Sequence, residues 1–386
     1  MNMKKKVLII GNGFDLYHGL PTRYSDFLFL AEHWDGFYKR YLESSLHAIG
    51  EVGTLEIQLE QGKLCENSLE DFIKHKNLLN GEKIEFLNNN LKNNKWIQYF
   101  LDVTIEGQNW IDFEEEIDNV LKNIHAYFDD LPNLKSTTII ESHYDNDIIN
   151  TIKHFKDLMP GIKLGLASME NLSPRQLDKQ ERELIKALRK ELDVLIKCFQ
   201  YYLSEFVDNI RCKVYSEQVK ALDDIYLLNF NYTYTHERVY GRHRISHHPI
   251  HGDLSNGNMV MGVLDNDLPY EEEYLAFQKS VQRVTSSSGG YYKDWVVKPR
   301  SRDLSDEGVD AYVFGHSLGK FDQTVLDYFF KNDYVNKVTI FYYSDVIKES
   351  LVEILAKYLG MGVLEEKCDS GAIVFEKLKE PVCNSL

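Results

Sequence analysis

Short apolar runs rich in β-branched residues occur only towards the two ends of this 386-residue chain, and that distribution restricts the fold more than any other feature. Val7-Leu8-Ile9-Ile10 opens the chain between lysines and Gly11. The next such runs are Ile225-Tyr226-Leu227-Leu228, Met259-Val260-Met261, Ala311-Tyr312-Val313-Phe314, Val338 to Tyr343 and Ala372-Ile373-Val374-Phe375. Runs this short and this continuously apolar suit strands buried on both faces, as in a parallel sheet. From about Tyr24 to Tyr215 the apolar spacing is helical instead. Its longest stripe follows a capping signal at Ser173, Pro174 and Gln176. It runs through Leu177, Leu184, Leu188, Leu192, Leu195, Phe199, Leu203, Phe206 and Ile210, with Glu181 interrupting it, and predicts a helix of about 35 residues. The charged face of that helix, Lys179 to Asp193, reads as solvated. Beyond Phe314 strand and helix alternate, which predicts βαβ units. The expected fold class is α/β: a Rossmann-like, mostly parallel sheet made by residues 1–31 and 215–386, with residues 32–214 as a helical insertion.

Four segments carry residues suited to chemistry. The first strand ends at Gly11-Asn12-Gly13-Phe14-Asp15, followed by Gly19-Leu20-Pro21-Thr22. Two glycines directly after a buried strand permit a tight turn and let backbone N–H groups approach a phosphate. The dinucleotide fingerprint is not matched, because position 16 is leucine and the next glycine is Gly19. A plain turn without ligand is the alternative. Asp15 would repel a phosphate and suits a ribose hydroxyl or a helix cap. The second segment, Asn229 to Glu237, follows a strand and would aim Asn231 and Thr233 at the crevice bordered by Gly11 and Gly13; Asn and Thr are also common where strands simply end.

The third segment is rich in histidine and arginine: His236, Arg238, Arg242, His243, Arg244, His247, His248 and His251. Its spacing matches no usual zinc site, and an anion-facing patch is the better expectation. His251, before Gly252, suits acid–base work because imidazole titrates near neutrality, although a structural role is the common one. The fourth is Gly315-His316-Ser317-Leu318-Gly319-Lys320-Phe321-Asp322. It contains the G-x-S-x-G string of a nucleophile elbow, but no histidine follows His316 to complete the usual triad order. The small-residue stretch Thr285 to Gly290, with the polar segment Arg300 to Gly308, suggests a mobile loop able to cover a site.

Charge narrows the partners. With 44 basic and 60 acidic side chains the net charge is −16, which argues against broad adhesion to nucleic acid or anionic membrane. The five cysteines are scattered and form no C-x-x-C pair, so neither a disulfide framework nor a cysteine zinc site is expected. The apolar stretch at the start is too short for a secretory signal, and no segment reaches the length of a membrane span, so a cytoplasmic protein is expected.

Together, G-N-G-F-D-x-x-H-G-L-P-T, N-F-N-Y-T, I-H-G and F-G-H-S-L-G-x-x-D resemble the AbiH family of bacterial phage abortive-infection proteins. That resemblance implies antiviral defence through a response that harms or arrests the infected cell, set off by a phage or host trigger protein. The same anchors are similar, more distantly, to the order of elements in sirtuins. There a glycine loop cradles NAD, an asparagine motif lies by the nicotinamide, a histidine before glycine is the base, and a G-T-S-L loop meets the adenosine. Gly11, Gly13, Gly19 and Pro21 match the first loop, Asn231 the second element, His251 and Gly252 the third, and Gly315, Ser317 and Leu318 the last. Asp15 replaces a serine, Thr22-Arg23-Tyr24 replaces D-F-R, Thr233 stands where an aspartate is common, and the paired zinc cysteines are missing, so protein deacylation is not implied.

What the resemblance implies is a sirtuin-like three-layer core that binds NAD or a related nucleotide and hydrolyses its nicotinamide bond. His251 would be the base and Asn231 would position the water or the carboxamide. Gly11, Asn12, Gly13, Asp15, Gly19, Pro21, Thr233, Gly315, His316, Ser317 and Asp322 would line the nucleotide. No metal is expected; a small anionic nucleotide is the expected partner, and a homo-oligomer is compatible with the long amphipathic helix. Two other functions stay open: a nucleotide-sensing protein without catalysis, and a nucleic-acid-directed toxin acting through the patch from Arg238 to His251.

Overall fold

The computed structural model describes residues 4–44, 54–105, 111–131, 143–158, 173–241, 244–264, 272–298 and 308–383. Six strands form one sheet: β1 (Lys5–Ile10), β3 (Ile225–Asn229), β4 (Arg244–Pro249), β5 (Val309–Phe314), β6 (Val335–Tyr342) and β7 (Ile373–Lys377). The remaining strands, β2 (Val214–Tyr215) and β8 (Val382–Cys383), pair antiparallel with each other. In the main sheet the order is β4-β3-β1-β5-β6-β7 and every neighbouring pair is parallel. Counted along the chain, that is the 3-2-1-4-5-6 order of a doubly wound fold, whose crevice opens where the order reverses, between β1 and β5. The sheet is the expected one, and it is drawn from the two ends of the chain.

Alternation along β1 explains the layers. Val7 and Ile9 join one apolar cluster with Val309, Ala311 and Val313 of β5, and with Val325, Phe329, Leu351 and Leu355 of the helices Gln323–Phe330 and Asp345–Leu359. Leu8 and Ile10 face the other way, against Phe14, Val219 and Leu227. Successive side chains of a strand point to opposite faces, so a strand apolar at every position needs cover on both. The third and largest cluster fills the intervening helices and reaches Tyr232, Met261 and Phe321 of the sheet's own connections.

Two expectations are corrected. Met259-Val260-Met261 lies outside the strands; the strand beside β3 at that edge of the sheet is Arg244–Pro249, whose polar sequence hides it because an edge needs little apolar cover. The long helix is α-helical over Pro174–Tyr202 and closes in a wider turn over Leu203–Val207, with Asp208 N–H donating to the Leu203 carbonyl. Its start is as expected, with Ser173 N–H donating to Gln176 Oε1 at 2.8 Å. Glu181, the break in its stripe, is buried and accepts from Tyr274 Oη at 2.6 Å and faces His125 Nδ1 at 3.1 Å. Among the described residues no helix is long and apolar enough to cross a membrane. All five cysteines are free thiols.

Candidate functional site

The two glycine loops meet at the reversal point. Gly11 N–H donates to the Phe314 carbonyl at 3.1 Å and Gly13 N–H to the Gly315 carbonyl at 2.8 Å. A Cβ on Gly11 would lie 2.7 Å from His316 Cα, and one on Gly13 would lie 2.8 Å from Gly315 Cα. Close backbone approach between the loops after β1 and β5 therefore accounts for these glycines, and both of their N–H groups are already committed. Asn231 Nδ2 ties the third loop in by donating to the Gly11 carbonyl at 3.0 Å. Asn12 accepts from Thr22 Oγ1 at 2.5 Å, and the Pro21 carbonyl accepts from Tyr202 of the long helix at 2.6 Å.

Three further residues of the expected set converge beside this joint. His251 follows β4 and precedes Gly252, whose left-handed turn (φ 74°) leaves no room for a Cβ beside the Asn258 carbonyl. His316 follows β5, and Asp322 ends the single turn Lys320–Asp322. His251 Nε2 lies 3.0 Å from Asp322 Oδ1 and His316 Nε2 lies 3.4 Å from Oδ2. Each imidazole is fixed from behind. His251 Nδ1 is 3.1 Å from the Phe230 carbonyl, and His316 Nδ1 accepts from Leu318 N–H at 2.9 Å, which places the His316 proton on the nitrogen facing Asp322. Phe230 packs edge-on between the two rings, 5.5 Å from His251 and 4.2 Å from His316.

Residues that carry no sequence signal complete the cluster. Lys279 and Arg283 stand one turn apart on the helix Lys279–Thr285, and Glu114 lies in the first turn of the helix Phe113–Asp130. Lys279 Nζ is 2.7 Å from Glu114 Oε2, 3.0 Å from Asp322 Oδ1 and 3.4 Å from His251 Nε2.

Burial and charge set the protonation states. Burial raises Glu114 to about 7, with Asp322 adding to the shift and Lys279 opposing it. Burial also acts on Asp322, yet Lys279 and His251 hold it well below the ordinary carboxylate range. Burial, then Lys279, pushes His251 down to about 4, so the imidazole is neutral and offers Nε2 as an acceptor to the ammonium. Two carboxyls with affinities driven apart, beside a neutral imidazole, are the ingredients of acid–base chemistry.

The other expected residues lie elsewhere. Asp15 is buried and accepts from Thr233 Oγ1 at 2.5 Å, in a separate knot with Thr235; burial raises it to about 6. Gly19 forms an open left-handed turn (φ 81°). Ser317 is exposed, and the backbone outlier of its loop is Leu318 (φ 58°), not the serine, unlike a nucleophile elbow. The basic patch is largely turned inward: Arg238 pairs with Asp208 at 3.3 Å and Arg244 with Glu237 at 2.8 Å. Arg242 and His243 lie outside the described residues, as does most of the segment from Arg300 to Gly308. A cavity of about 340 Å³, lined by Arg189, Gln200, Asn258, Met259, Val281 and Gln282, lies along the helix that carries Lys279, but neither His251 nor Asp322 lines it.

A family model described as bacteriophage abortive infection AbiH matches residues 7–344, which spans both glycine loops, His251 and Asp322. No curated protein and no solved structure matches the chain.

Proposed function

The chain belongs to the AbiH family of bacteriophage abortive-infection proteins, and we propose that within that role it binds NAD at the β1–β5 crevice and hydrolyses the bond between nicotinamide and ribose. The observation that carries this reading is the convergence of His251, His316 and Lys279 on the Asp322 carboxylate, with Glu114 held to the same Lys279 ammonium, at the carboxyl ends of the sheet where a doubly wound fold takes its ligand.

Cleavage of an N-glycosidic bond passes through an oxocarbenium-like state, which a nearby fixed anion stabilises. Asp322, held ionised, supplies that anion. A water that takes the place of the Lys279 ammonium at His251 Nε2 gives that nitrogen its proton while its oxygen bonds to the ribose anomeric carbon. The carbon–nitrogen bond breaks with its electron pair going to the pyridine nitrogen, which leaves as neutral nicotinamide. Asp322 then stabilises the imidazolium formed at His251, and Asn231 lies at the adjoining loop to orient water or carboxamide.

Purified protein incubated with NAD is expected to release free nicotinamide. His251→Ala and Asp322→Asn are expected to lower the rate by at least about 100-fold, the usual scale for losing an acid–base group. A His251→Ala protein that consumes NAD at the wild-type rate would overturn the base assignment, and no nicotinamide release by the wild type would overturn the activity.

A further inference from the structure

With the Gly11 and Gly13 N–H groups spent on the neighbouring loop, a phosphate entering the crevice must be gripped by something else. Arg283 is the spare cation of the cluster. Its Nη2 lies 3.7 Å from Asp322 Oδ1, an ion pair beyond hydrogen-bonding distance, beside a carboxylate that Lys279 and His316 already meet. Arg283 Nε and Nη2 are both buried and have no hydrogen-bond partner. His248, on β4, is 0% exposed, and neither of its ring nitrogens has a well-formed hydrogen bond.

One turn touches both residues, through Ser288 against the Arg283 backbone and Gly289 against the His248 ring. Burial, then the Arg283 charge, pushes His248 down to about 4, so its ring is neutral and its one N–H is turned towards the Gly289 backbone, from which lifting the turn would release it. Tyr291 caps that ring edge-on at 4.4 Å, at the end of the turn Ser286–Gly290. Ser288 Oγ donates to the Arg283 carbonyl at 3.4 Å, and a Cβ on Gly289 would lie 3.8 Å from His248 Cε1. Native interiors leave few donors unsatisfied, and a guanidinium with free Nε and Nη2 presents the two-point fork that fits an oxyanion.

We propose that Arg283 and His248 form an anion-binding pair that grips a phosphate group of the nucleotide once the Ser286–Gly290 turn lifts. That the anion belongs to a nucleotide rests on the proposed function; the anion site itself does not. Arg283 gives two parallel N–H donors to two phosphate oxygens, and His248 gives a third from β4.

Calorimetric titration of the full chain with inorganic pyrophosphate and, separately, with ADP-ribose tests the pair. Wild type is expected to bind both. Arg283→Gln is expected to weaken both by at least about tenfold, and Arg283→Lys to recover only part, since an ammonium keeps the charge and loses the planar fork. Binding of ADP-ribose with equal affinity by wild type and Arg283→Gln would overturn the pair and leave the proposed function standing. Arginine-dependent binding of pyrophosphate without any binding of ADP-ribose would support the anion site and overturn the nucleotide. Failure of the wild type to bind either would overturn both. If the glutamine variant does not fold, the lysine variant decides, and its binding both probes as tightly as wild type would count against the pair.

Discussion

Lys279 has three N–H donors, and the structure gives each an acceptor: Glu114, Asp322 and His251. Burial works against its charge, but the two carboxylates raise it above the ordinary lysine value, so the ammonium stays charged while almost wholly buried. Removing one member of such a set costs more than never having built it, because a carboxylate is then left in a poor solvent without its countercharge. Lys279→Met is therefore expected to destabilise the fold by about 3–5 kcal/mol. Glu114→Gln should cost far less, since Glu114 is already near half-protonated at neutral pH and keeps an oxygen for Lys279. Urea unfolding of both variants and of the double variant measures the coupling. A Lys279→Met protein within about 1 kcal/mol of wild type would show that the ammonium does not hold the cluster together.

At the scale of elements, the joint between the loops after β1 and β5 is a backbone contact. A Cβ on Gly315 would lie 2.2 Å from Phe14 N and 2.4 Å from Gly13 C, at a φ of 67°. Gly19 has a more extreme φ of 81°, yet its Cβ would meet nothing within 4 Å. Left-handed strain alone costs an alanine about 1 kcal/mol, whereas pushing two loops apart sacrifices packing on both. Gly19→Ala is thus expected to cost about 1 kcal/mol and Gly315→Ala more than about 3 kcal/mol. Equal midpoints for the two in urea would refute the contact as the reason for Gly315. The same joint shows what was legible in the sequence. Strands β1, β3, β5 and β6 announce themselves by apolar runs, because a central parallel strand is covered on both faces; β7 lies at the other edge and is legible all the same from Ala372 to Phe375. β4 escapes notice because His247, Ser246 and Arg244 sit at an edge, where the run is not required. His251, His316 and Asp322 are visible because they end strands or open a helix. Glu114, Lys279 and Arg283 are not visible, because a buried charge on a helix looks like a surface charge until the partner that neutralises it is known.

Across the whole molecule, buried histidines dominate the response to acid. Burial is the leading cause in pushing His18, His247, His248 and His251 to about 4 and His236 to about 3, all from an ordinary value of 6.5. Between pH 6.5 and 4 the unfolded chain binds protons at these five positions that the folded chain refuses, so their contribution to stability falls as pH falls. Asp15, raised from 3.8 to about 6, and Glu114, raised from 4.5 to about 7, act in the opposite sense. The folded state holds protons there that the unfolded state releases, so those two carboxyls favour folding as pH drops through the same window. Asp26, Asp112 and Glu116 are raised by burial as well, so the net uptake on unfolding near pH 5 stays below the roughly three protons that five histidines less Asp15 and Glu114 would give, a slope of at most about 4 kcal/mol per pH unit. Against a total stability of about 5–15 kcal/mol, that is enough to bring the chain close to its unfolding point within the window. Stability from urea unfolding, followed from pH 7 to 4.5, should therefore fall steeply below 6.5. Asp15→Asn removes one opposing contribution while keeping an oxygen for Thr233, and should steepen the decline by about one proton. A curve that stays flat or rises towards pH 5 would mean that the raised carboxyls offset the histidines or that the histidines are protonated in the folded state; NMR titration of the imidazoles separates the two, and a His251 protonated at pH 6 could no longer be assigned the role of base.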